Sequence, residues 1–245
     1  MISKGFLHSF ICVLCVAVCV VTVPSCNKTD TLDVNYHREY YPLAVGHYVT
    51  YQVDSIQYSF SENPDTYVRD TIRYQLKEIL TDTFYDNENE LNYRLELHRR
   101  FDTLSSFSIW KIWNVKADEY NIQKNEDDIR FIKLIFPPLE SGEWNGNLYV
   151  PQTDIYRIFR NWNYTYSNVH EPYSAGGLNF DSTLTVLQVD DEDLIEKTLR
   201  REVYAKNIGM VYQEWEHMTK QKVQLNWQNG PENGFRIRMK AVDWN

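Results

Sequence analysis

Cysteine is scarce and confined to one end. The 245 residues contain four, Cys12, Cys15, Cys19 and Cys26, so disulfides, thiolate catalysis and thiolate metal sites are closed to everything beyond residue 26. Positive charge is also short. Lys and Arg number 25 against 34 Asp and Glu, for a net charge of −9, and a chain of that sign is not drawn to nucleic acid or to anionic headgroups by its overall field. Apolar runs are short, the longest being Phe10 to Val23, and its roughly 14 residues fall below the ~20 of a spanning helix. The motifs HExxH, GxSxG, the phosphate loop and GxGxxG do not occur, and His37, His47, His98, His170 and His217 show no short metal-ligand spacing. No cofactor, no metal and no catalytic residue is therefore expected.

The apolar run has the length of a signal-peptide core, with Lys4 before it and a switch to polar residues after it. It ends in Val23-Pro24-Ser25-Cys26, which resembles the bacterial lipobox. This places a signal peptide at residues 1–25 and makes Cys26 the new N-terminus, lipidated on sulfur with a palmitate-type acyl chain. One acyl chain binds a bilayer marginally, so the several chains of a mature lipoprotein make the anchor permanent. Residues 26–39, polar and without periodicity, form the tether. Asn27 gives no aspartate-type retention signal, which favours the outer membrane and leaves its periplasmic and surface faces open. The removed segment carries Lys4 and no acid, so the mature chain is one charge more negative than the whole.

From residue 40 to 245 the pattern is that of one all-β domain. Leu91, Tyr93, Leu95 and Leu97 alternate with Asn92, Arg94, Glu96 and His98, and Phe235, Ile237, Met239 and Ala241 alternate with Arg236, Arg238 and Lys240. Period two means one buried face and one wet face, as in antiparallel sheets. Further strands are predicted over His47–Phe60, Thr66–Leu80, Phe107–Val115, Ile129–Phe136, Phe180–Val189, Ile208–His217 and Val223–Trp227. One short helix is predicted over Glu192–Tyr204, where Leu194, Ile195, Leu199 and Val203 recur at helical spacing. Asn145-Gly146 and Asn229-Gly230 suit turns of positive φ. A long antiparallel sheet with one apolar face must cover that face, so the predicted architecture is a single sheet curled into a barrel or half-barrel.

Three segments carry a family likeness. The stretches YYPLAVGHYVTYQVDSI (Tyr40 to Ile56), LIFPPLESGEWNGN (Leu134 to Asn147) and EVYAKNIGMVYQEW (Glu202 to Trp215) resemble uncharacterised envelope lipoproteins of the Bacteroidota. In that group a PLxVGxxWxY strand tends to open the domain and a YAxxVGLVxxE strand comes near its end. Here Val49 stands where Trp is usual. The resemblance implies an envelope lipoprotein and brings no catalytic residue with it.

Several candidate sites follow from the residues. Trp162, Tyr164 and Tyr166 lie two apart, so in an extended chain they form one stripe, with Arg160 beside it. Such a stripe stacks on a sugar ring or an apolar ligand when exposed, and packs a core when buried. The asparagines Asn161, Asn163 and Asn168 and Pro172 around it favour exposure of at least one ring. Asp86 to Glu90 alternates oxygen-bearing side chains but lacks the glycine and terminal glutamate of a calcium loop, and reads as a hairpin turn. Glu214 and Glu216 share one strand face, expected to be exposed, with Trp215 turned inward. Two functions follow. The first is a non-catalytic lipoprotein, attached to the membrane by its anchor, that binds an amphiphile, a glycan or an envelope protein on the curled sheet. The alternative is a carboxylate-dependent glycan hydrolase, which needs two acids facing across a cleft.

Overall fold

Alternating side chains produce a sheet in which each strand except the sixth pairs with the next along the chain, and the first pairs with the twelfth. The computed structural model describes residues 36–59, 68–221, 227 and 232–245. Cys26, the signal segment, the tether up to residue 35 and most of the predicted strand Val223–Trp227 lie outside the described residues. The strands are β1 Tyr48–Ser59, β2 Val68–Tyr85, β3 Leu91–Arg100, β4 Ser108–Ala117, β5 Asn121–Glu126, β6 Ile129–Ile135, β7 Glu143–Trp144, β8 Tyr164–Ala175, β9 Leu178–Glu192, β10 Glu196–Ala205, β11 Gly209–Thr219 and β12 Asn233–Trp244. They form one twelve-stranded sheet in the order β6-β5-β4-β3-β2-β1-β12-β11-β10-β9-β8-β7. Each neighbouring pair is antiparallel. The first and last strands are thus neighbours at the centre, and two meanders run outward from them. The described residues contain short 3-10 turns at Arg38–Tyr40 and Asp154–Phe159, and no helix long and apolar enough to cross a membrane.

An open sheet would leave two edges with unpaired backbone groups. Here the edges come together and the sheet is nearly closed into a barrel. Ile132 N donates to Gly146 O at 2.8 Å just beyond β7, and Trp144 Nε1 donates to Ile132 O at 2.9 Å. Tyr166 completes the seam: its hydroxyl donates to Ile135 O and accepts from Ile135 N, both at 2.8 Å. Gly146 has a steric role at this seam in place of the expected turn of positive φ. A Cβ there would run into the Tyr164 ring. Gly46 and Gly209 do adopt positive φ, at 93° and 95°, as glycines preceding a strand are suited to do.

The predicted helix over Glu192–Tyr204 is not formed. That segment is β10, paired with β9 and β11, and the reason lies in which residues face inward. Arg200, Glu202 and Tyr204 are buried inside the barrel, while Leu194 and Ile195 are exposed in the turn before the strand. The turn is held by Asp193, which accepts from Ile195 N and Glu196 N. Charged residues on the inner face hide a period-two pattern and leave a chance helical one.

Candidate functional site

The barrel interior is crossed by a belt of buried ions. Lys124 and Glu126 on β5, Lys133 on β6, Arg200 and Glu202 on β10 and Glu78 on β2 meet there. Lys133 Nζ lies 2.6 Å from Glu202 Oε1 and 3.3 Å from Glu126 Oε1. Arg200 contacts Glu126 at 3.2 Å, and Lys124 contacts Glu78 at 3.0 Å. Tyr204 donates its hydroxyl to Glu202 at 2.7 Å. Three cations face three carboxylates, and burial of bare charge at this depth is tolerated because each is paired. Burial opposes ionisation of Glu126, but Lys133, Lys124 and Arg200 outweigh it and hold the carboxyl far below the usual range. Glu202 is likewise lowered, burial being overcome by Lys133 and Arg200. Lys124 is raised, because Glu78, Tyr41 and Glu126 outweigh its own burial.

The belt divides the interior. Towards the end where β1 begins, beside Pro42, His47 and Gly209, the remaining space is about 40 Å³, room for little more than a water molecule. Towards the other end lies a cavity of about 260 Å³, close to the lower bound of small-molecule sites, ~300 Å³. Trp110, Trp113, Phe131, Phe159, Tyr74 and Trp215 supply aromatic walls, Leu76, Leu97, Ile237 and Met239 complete them, and the belt forms the floor. The 3-10 turn at Asp154–Phe159 brings Phe159 over this space. Its ring packs on Phe131 at 5.4 Å, Trp162 at 5.2 Å and Trp215 at 6.3 Å between centroids.

Two donors at the floor have no acceptor among the described residues, Arg200 Nε and Trp215 Nε1. Both are buried, and the Arg200 guanidinium sits 4.5 Å over the Trp215 ring. A buried donor left unpaired is costly, of order 1–3 kcal/mol.

The aromatic stripe is placed differently from expectation. Trp162 is 6% exposed, Tyr164 0% and Tyr166 2%, so the exposed platform is corrected to core. The asparagines that argued for exposure are used for backbone geometry instead: Asn161 and Asn168 adopt φ of 62° and 53°, which asparagine tolerates, and the Asn163 amide donates to Glu143. Tyr164 gives its hydroxyl to Asn147 at 2.8 Å. Arg160 pairs with Asp154 at 3.1 Å and borders a polar cleft of about 480 Å³ with Asn161, Asn163 and Trp162, outside the aromatic cavity. The stripe bears on the cavity indirectly, since Trp162 backs Phe159.

Trp215 turns inward as expected, but Glu214 and Glu216 are not on an exposed face. They are 3% and 4% exposed, under Arg201, Arg238 and Arg236. Asp86, Glu88 and Glu90 do gather their carboxylates, yet Asp86 accepts from Glu88 N, Glu90 N and the Asn92 amide, which is the bonding of a hairpin turn. The ion belt and the cavity were missed from the sequence. The signal that could have found them is charge at alternate positions of a strand, Lys124 with Glu126 after Ile122, and Arg200 with Glu202 between Leu199 and Val203.

No protein-family model matches the chain, and no curated protein matches it. Among solved structures it is similar to a protein of Bacteroides fragilis described as exported and of YmcC-like fold, at 10% identity and a TM-score of 0.37, over 83% of this chain and 98% of that one.

Proposed function

We propose that this protein is a non-catalytic binding protein of the cell envelope, anchored to the outer membrane through lipid on Cys26, which holds a small ligand in the aromatic cavity of its barrel. The observation that carries the reading is the cavity itself: about 260 Å³ of space, walled by rings and floored by the ion belt. Rings and aliphatic walls take up an apolar body, and a few polar groups at one end fix its orientation, which is the usual division of labour in small-molecule sites. The interior carboxylates favour binding over hydrolysis. A glycosidase needs one carboxyl free to donate a proton, whereas the carboxylates lining the cavity are each paired with a cation: Glu78 with Lys124, Glu126 with Lys133 and Arg200, and Asp127 with Lys111.

Native mass spectrometry of the full-length protein purified from its own envelope tests the reading. A small molecule is expected to travel with the wild type and to be lost from Ile237→Trp, which fills the cavity. A bare wild-type mass, unchanged after incubation with an extract of the same envelope, would count against any ligand in the barrel.

A further inference from the structure

Above the ion belt, one inward-facing cation, Arg99, has no carboxylate among the described residues. Arg99 of β3 pairs across the ladder with Leu76 of β2, while its neighbour Leu97 pairs with Glu78. Leu76, Leu97 and Glu78 all line the cavity. Residues opposite one another in an antiparallel pair point to the same face, so Arg99 projects inward, one step nearer the mouth than Leu97. Its guanidinium is caged by rings at 4.5 Å from Trp110, 4.7 Å from Phe101 and 5.7 Å from Tyr74. Trp110 and Tyr74 themselves line the cavity. Aromatic faces stabilise and orient a guanidinium while leaving its N–H edge open. No carboxylate among the described residues lies within ion-pair distance of it.

The rest of the cavity is balanced. Lys124, Lys133 and Arg200 face Glu78, Glu126 and Glu202 in the belt. At the mouth Lys111 Nζ lies 2.5 Å from Asp127, which also accepts from Trp113 Nε1 at 3.1 Å. Arg99, stacked beside the lining rings Tyr74 and Trp110 at the rim, is the charge left over among the described residues, and an acid group at the rim would neutralise it.

We infer that the ligand is a compact ring-bearing anion, its carboxylate or comparable acid group on Arg99 at the mouth and its ring between the aromatic walls. This rests on the binding reading above and narrows it to a chemical class. The planar walls suit a planar body, since offset-stacked and edge-to-face contacts are both open to it. A guanidinium meets a carboxylate in two parallel hydrogen bonds, a geometry a neutral amide cannot match.

Isothermal titration of the full-length protein in detergent with 2-naphthoate, and with its neutral counterpart 2-naphthamide, separates the two levels of the argument. The acid is expected to bind more tightly than the amide by about tenfold or more, the difference of a charge-assisted bond. Arg99→Gln should remove most of that preference, weakening the acid far more than the amide. Equal binding of acid and amide, or an acid preference that largely survives Arg99→Gln, overturns the anion assignment while leaving the cavity as the site. Failure of the acid to bind also overturns it. Ile237→Trp, verified as folded by its melt, should abolish both titrations. Binding retained in that variant would place the probe elsewhere and sink both readings. Arg99 is half-buried at the rim, and Arg99→Lys provides a second variant that keeps the charge, for which partial retention of the preference is expected.

Discussion

Lys133 and Glu202 face each other across the barrel interior at 2.6 Å, on strands that are not neighbours in the sheet. Their side chains are 2% and 1% exposed, so neither can fall back on water if the other is removed. Lys133→Met should therefore cost about 3–5 kcal/mol of stability, the usual result of leaving a buried charge uncompensated. Lys133→Met combined with Glu202→Gln removes one charge of each sign and keeps an acceptor for the Tyr204 hydroxyl. It is expected to recover a large part of the loss. Chemical denaturation of the wild type and both variants measures this; a double variant no more stable than the single one would show that the pair is not coupled.

Acid should weaken the fold in two stages, and the sign of each follows from the direction of the shifts. His170 is lowered by its own burial, by His37 and by Lys206, and His217 by burial and Arg157. A histidine lowered in the folded state takes up its proton more readily when unfolded, so stability falls as pH drops through about 6.5. Glu126 and Glu202 are lowered carboxylates, whose contribution is complete above about 4.5 and is lost as pH falls below it. His170→Asn suits the positive φ of 66° at that position. Together with His217→Gln it should flatten the first stage and leave the second. A wild-type melting temperature that does not change between about pH 7.5 and pH 5.5 would remove the histidine stage.

The strands that could be read from sequence are those whose inner face is apolar. Leu95 and Leu97 of β3, and Met239 and Ala241 of β12, are buried where alternation places them, and the curled single sheet follows from having one such face to cover. β10 was misread because Arg200 and Glu202 point into the barrel and Leu194 and Ile195 into solvent. A binary pattern assigns charge to the outside by default, and nothing local announces that partners on β5 and β6 will neutralise it. The cavity was hidden for the same reason. Its walls come from strands far apart in the chain, and its charge count closes only when all of them are assembled. The seam was partly legible, in that a stripe of three rings was singled out, but its burial depends on asparagines taking left-handed backbone positions.

Membrane attachment is expected to depend on Cys26, which lies outside the described residues. Cys26→Ser removes the thiol proposed to carry the lipid, and should leave the protein unprocessed or free in the periplasm. Detergent phase partitioning of the two forms checks it: an unaltered split between phases would exclude the lipoprotein reading. Protease shaving of intact cells decides between the periplasmic and the surface face.

The last prediction concerns the seam. Trp162 sits behind Phe159, Tyr164 binds Asn147, and Tyr166 bridges to both backbone groups of Ile135. Truncating a buried ring of this size typically costs ~3–5 kcal/mol, and Trp162→Ala should fall in that range. Tyr166→Phe tests the hydrogen bonds with the ring kept in place. It leaves Ile135 N and O without their partner at the point where the sheet edges meet, an expected loss of about 1–3 kcal/mol. The two changes differ in where the damage appears. Hydrogen exchange in Tyr166→Phe should rise first at β6 and β7, because the seam opens before the meanders unravel, whereas Trp162→Ala should loosen the turn carrying Phe159 and widen the aromatic cavity. If Trp162→Ala melts within about 0.5 kcal/mol of wild type, as an exposed ring would, then the ring is not core. The stacking of Phe159 over the cavity would then need another explanation.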